Sequence, residues 1–204
     1  MAGFLRRALV FELKLYVCLL RWVVRRPAVP RGAEPIGYAR AVTPVMGLWI
    51  FASAAEIPLL HVLLPWEAAQ VVSLVLGAWG LFWMLGLLAS FQVRPHLVGP
   101  AALRVRNGPV TELGIAWADV RSVRMNRRDV PSSVRALQPR ETEAGTDLQV
   151  VVNGQVNVEV VLRHPVTVRT HTGALEVTSV SFFADEPRET VARLRRHLAA
   201  VTTE

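Results

Sequence analysis

Hydrophobic and polar positions follow different rules in successive parts of this chain. Residues 1–26 are apolar but interrupted by charge. Residues 41–91 are almost wholly apolar, and residues 92–204 are polar with a period-two alternation. Between the first two stretches, residues 27–40 hold Pro27, Pro30, Gly32, Pro35 and Gly37, which predicts a linker.

The apolar middle predicts two membrane helices. Residues 41–64 are long enough to cross a hydrocarbon core, which takes roughly 20 helical residues. Pro65, Trp66 and Glu67 make a short turn, with Trp66 suited to an interface, and residues 68–91 cross again without an ionised side chain. A buried helical hairpin in a soluble core is the competing reading, but too little chain remains to cover two such helices. Arg6, Arg7, Lys14, Arg21, Arg25, Arg26, Arg31 and Arg40 precede the first span, and Arg94, Arg104 and Arg106 follow the second. The turn has no Lys or Arg. Flanking charge therefore predicts a multi-pass membrane protein with both termini cytoplasmic.

Residues 1–26 lack the cleavage site of a signal peptide, and Glu12 and Lys14 break their apolar run. At helical spacing Arg7, Lys14, Arg21 and Arg25 fall on one side, while Leu5, Leu9, Leu13 and Leu20 cover much of the rest. The pattern predicts an amphipathic helix lying in the headgroup region, with packing on the protein's own cytoplasmic domain as the alternative.

From His96 onward the alternation predicts strands. Leu103 and Val105 lead to Asn107-Gly108, a hairpin signal, followed by Ile115, Trp117, Val120 and Val123. Runs at 148–152 and 156–162 flank a second such signal, Asn153-Gly154. Val166, Val168 and residues 175–183 complete the set. Residues 126–147, polar and containing Pro131, Pro139 and Gly145, predict a long loop. A closing amphipathic helix starts with Asp185 as N-cap and Pro187 in its first turn, and Val191, Leu194, Leu198 and Val201 form its apolar stripe.

Strands followed by one closing helix resemble the bacterial pleckstrin-homology-like domain, often found behind a transmembrane hairpin. The similar segments are Leu103-Arg104-Val105-Arg106-Asn107-Gly108, Ile115-Ala116-Trp117-Ala118-Asp119-Val120 and Ser181-Phe182-Phe183-Ala184-Asp185-Glu186-Pro187. The whole chain resembles actinobacterial integral membrane proteins of this length and layout. The resemblance implies an α+β membrane protein: a two-helix transmembrane hairpin and a small cytoplasmic β-barrel or sandwich capped by a helix. It implies no particular ligand.

Charge adds a partner class. The formal net charge is +7, which favours lipid headgroups, nucleic acid or an acidic protein. Arg121, Arg124, Arg127 and Arg128 form a basic run, read either as a solvated face or as a contact for anionic lipid or an acidic membrane partner. Glu56 and His61 lie inside the first span, where ionisable residues are costly. They are read as hydrogen-bonded within the membrane or as part of an ion pathway. Gly77, Gly80 and Gly86 suit close helix contact, within the hairpin or in a homo-oligomer.

The remaining candidate chemistry is thin. His61, His96, His164, His171 and His197 show no zinc-ligand spacing, and Cys18 is the single cysteine. Ser132 and Ser133 lack a nucleophile elbow, and no phosphate-binding glycine loop occurs. No catalytic residue, metal or cofactor is expected. The leading expectation is a non-enzymatic, membrane-anchored binding or scaffolding protein. A small oligomeric transporter or ion-conducting protein built around Glu56 is the alternative. Nucleic-acid binding ranks last, because Glu141, Glu143 and Asp147 are mixed with the arginines and no aromatic platform is evident.

Overall fold

The computed structural model describes residues 2–131, 136–170 and 173–203. Ser132, Ser133 and His171 lie outside the described residues. The chain forms two compact units, one of long helices and one rich in β-structure.

The helical unit contains α1 (Ala2–Val23), α2 (Thr43–Leu63) and α3 (Glu67–Val93). The last two are 21 and 27 residues long, and both are long and apolar enough to cross a membrane. Pro44 opens α2, where a missing N–H costs nothing, and Pro58 stands inside it. The α2–α3 turn closes when the Gln70 side chain donates to the Leu64 carbonyl at 2.8 Å. In α2 no residue is buried: Leu48 is 68%, Phe51 72% and Val62 80% exposed. Leaving such side chains in water forgoes roughly 1.5–3 kcal/mol each.

Helix α3 packs against both α2 and α1. The α1 contacts run in one direction along both helices. Trp79 meets Glu12, Trp83 meets Phe11, Gly86 meets Leu15 and Gln92 meets Trp22, so α1 lies parallel to α3 over several turns. Leu15 and Cys18 are buried in this contact. Residues 2–23 of the segment expected in the headgroup region thus form a helix that runs lengthwise along α3. The Leu15–Cys18 stripe and the absence of a Cβ at Gly86 produce the pairing.

In the second unit, β1 (Glu34–Ile36), β2 (His96–Val98), β3 (Ala102–Asn107) and β4 (Thr111–Ala116) form a four-stranded sheet in that order. Every neighbouring pair in it is antiparallel. A 3₁₀ turn at Trp117–Asp119 leads into β5 (Val120–Asp129). The second sheet adds β6 (Leu137–Thr142), β7 (Gly145–Val150), β8 (Gln155–Thr170) and β9 (Gly173–Phe182). Its order is β5-β8-β9-β7-β6, and β7 pairs parallel with β9.

Two expectations change here. The predicted linker 27–40 contains strand β1, and Ile36 and Tyr38 are buried. The predicted loop 126–147 contains the end of β5, all of β6 and the start of β7. Pro139 is accommodated because β6 is an edge strand, where a missing N–H costs no ladder bond.

Neither sheet closes into a barrel. The two share one core, which includes Leu103, Val105, Val158, Val160, Val180 and Phe182. Helix α4 (Pro187–Thr203) contributes Val191 and Leu194 to that core. The Asn153-Gly154 turn has positive φ at both residues (50° and 70°), the geometry that two-residue hairpin turns require.

Candidate functional site

The second sheet has an apolar and a polar face, set by strand alternation. Leu148, Val150, Val158, Val160, Val180 and Phe182 point into the core. The intervening positions Asp147, Gln149, Glu159, Ser179 and Ser181 carry polar groups, and all five are buried. Register aligns them across the strands: Arg124 opposite Glu159, Glu159 opposite Ser181, and Ser179 opposite Asp147.

Two carboxylates organise this face. Glu159 receives Arg124 Nε and Nη2, each at 2.9 Å, and Asn126 Nδ2 at 2.5 Å. Burial alone pushes its pKa up, but the bonds from Arg124 and Asn126 outweigh this and hold it below its ordinary value. Arg124 is correspondingly pushed up by its hydrogen bond to Glu159. Asp147 accepts from Ser179 Oγ at 3.0 Å, Ser181 Oγ at 2.9 Å and Arg128 Nη2 at 3.0 Å. Arg128, on β5, thus reaches over β8 and β9 to β7. Its Nε is shielded from solvent and has no acceptor among the described residues.

A groove of about 860 Å³ opens on this face. Arg121, Arg124, Arg128, Arg140 and Arg163 line it, with Glu141 and Glu143 at the side. Arg124 and Arg128 are committed to internal carboxylates. Arg121 and Arg140 are exposed and have no ion pair among the described residues.

The basic run expected to act as one cluster is therefore divided. Arg121, Arg124 and Arg128 share the groove, whereas Arg127 lines a different one with Met125 and Glu186. Bulges in β5 between Val120 and Ser122 and between Met125 and Arg128 alter the alternation. Sequence reasoning missed Arg140 and Arg163 because they stand on other strands. It counted Asp147 only among the acids mixed with the arginines and did not single out Glu159; the strand period at 147/149 and 157/159 carried the signal of a polar face.

In the helical unit, Arg7, Lys14, Arg21 and Arg25 are all exposed. The three within α1 share one flank but extend about 21 Å along the helix. Glu56 lines a cleft among the helices; His61 does not. Among the described residues, no group of three metal-ligating side chains forms. The chain matches no family model, and no curated protein or solved structure matches it.

Proposed function

We propose that this chain is a non-enzymatic, membrane-anchored binding protein of a bacterial cell membrane, with its sheet unit in the cytoplasm. The observation that carries the anchor is the outward apolar surface of α2 and α3. An exposed patch of this kind far exceeds what a water-soluble monomer tolerates. The pleckstrin-homology-like reading is supported by the shared core of two open sheets and by the closing helix α4.

The ligand face in this reading is the groove beside Arg121 and Arg140. Paired arginines keep its floor rigid, while these two leave their charges available to an acidic group on a membrane-bound protein partner. Because α1 runs along α3, it enters the bilayer with α3. Arg21, Arg25 and Arg26 then meet cytoplasmic headgroups, and Lys14 and Arg7 lie progressively further across.

Cross-linking in native membranes, with the captured proteins identified, tests the binding role. The full-length protein should capture an acidic partner that Arg121→Glu/Arg140→Glu loses. Identical capture by both chains would overturn the assignment of this face.

A further inference from the structure

We propose that the cleft formed by α1, α2 and α3 is a binding site for a lipophilic organic cation, with Glu56 as its counter-charge. The proposal rests on the reading that the three helices share the bilayer, and it concerns a site separate from the sheet groove.

The cleft measures about 820 Å³, within the range of small-molecule sites. Helix α3 forms its floor. Ala8, Phe11 and Glu12 of α1 line one wall, and Ser53, Glu56 and Ile57 of α2 the other. Both carboxylates lie at one level of α3: Glu12 is bonded to Trp79, and Ile57, next to Glu56, abuts Gly77.

The two acids differ in one respect. Glu12 Oε1 accepts from Trp79 Nε1 at 3.0 Å and from Tyr16 Oη at 3.3 Å. Glu56 has no hydrogen-bond or ion-pair partner among the described residues, and no Lys, Arg or His lines the cleft. An unpaired carboxylate at membrane depth is costly without a counter-charge. An anionic ligand would add to that cost, and a neutral one would leave it unrelieved. The rings of Phe11 and Trp83 stand 6.2 Å apart, with Trp79 nearby, and aromatic faces attract cations. Apolar walls then select a cation with a greasy body. At Gly80 an added Cβ would meet nothing within 4 Å, so the floor is open there.

The test uses the full-length protein in non-ionic detergent and two ions of the same size and shape, tetraphenylphosphonium and tetraphenylborate, in equilibrium dialysis. The phosphonium ion should bind saturably and the borate should not. Glu56→Gln should weaken phosphonium binding by about tenfold or more, since it removes the counter-charge. Glu56 supports no other side chain, so the elution volume should be unchanged. Gly80→Leu should block the site by volume with the charge intact, and His61→Ala should leave binding as it was. Equal binding of both ions, or unchanged affinity in Glu56→Gln or Gly80→Leu, would overturn the proposal. Because the assay contains no bilayer, its failure is distinct from failure of the membrane reading, which extraction of cell membranes at alkaline pH tests separately.

Discussion

His96 is fully buried with both ring nitrogens engaged. Its Nδ1 accepts the Arg106 backbone N–H at 2.9 Å, so Nε2 carries the proton and donates to the Phe183 carbonyl at 2.9 Å. Tyr38 stacks on the ring at 4.4 Å. Burial pushes the pKa down from 6.5 to about 4. Between those values the unfolded chain binds more protons than the folded one, so stability falls as the pH drops through this window and is undiminished above it. About 2 kcal/mol should be lost between the ordinary histidine pKa and about pH 5. Glu159, whose folded pKa is depressed, adds its loss only below the ordinary carboxylate value of 4.5. Thermal unfolding at the two pH values should show the drop in the wild type and a much flatter response in His96→Asn. Equal slopes would remove His96 as the cause. Nothing in the sequence around His96 announced this role, because its partners come from residues 38, 106 and 183. Glu12 was hidden for the same reason: the sequence shows it interrupting an apolar run, while the indole N–H that donates to it stands on α3.

Elements were legible where pairing is local. Asn107-Gly108 joins β3 to β4, and Asn153-Gly154 makes a tight turn, both as their sequence predicts. The two long apolar helices follow from composition alone. Strands β1 and β6 were not legible: each contains a proline, β1 is ordered by β2, which is distant in sequence, and β6, though local to β7, lacks an apolar alternation. The α1–α3 pairing was illegible because it turns on one glycine. A Cβ at Gly86 would stand 2.2 Å from Leu15 Cδ2 and 3.2 Å from the Leu15 carbonyl oxygen, so the backbone as well as the side chain is in the way. Gly86→Val should force α1 from α3. Cys18, the single cysteine, is buried in that contact and reports on it directly. Its maleimide labelling in detergent should be slow in the wild type and markedly faster in the variant. Unchanged labelling would show that the two helices do not depend on this approach.

At the scale of the whole molecule, the direction of α1 sets what the membrane reading predicts for Ala2. Flanking charge alone predicts both termini in the cytoplasm. If α3 spans the bilayer with its carboxyl end in the cytoplasm, as proposed above, a helix parallel to it carries Ala2 toward the opposite face, whereas an interfacial helix keeps Ala2 inside. Cysteine placed at Ala2 in a Cys18→Ser background should react with an impermeant maleimide on intact cells. A tag after Glu204 should become accessible only on permeabilisation. Protection of the amino end would restore the headgroup-bound placement of α1. The order of the second sheet bears on biosynthesis. Strand β9 lies between β8 and β7, and without it the sheet falls into two separate pairs, β5 with β8 and β7 with β6. Two-stranded pieces are marginal on their own. The strand that joins the two pairs is therefore synthesised after the other four, long after α2 and α3 have emerged, and truncation before Gly173 should leave a nascent domain that chaperones hold and proteases clear.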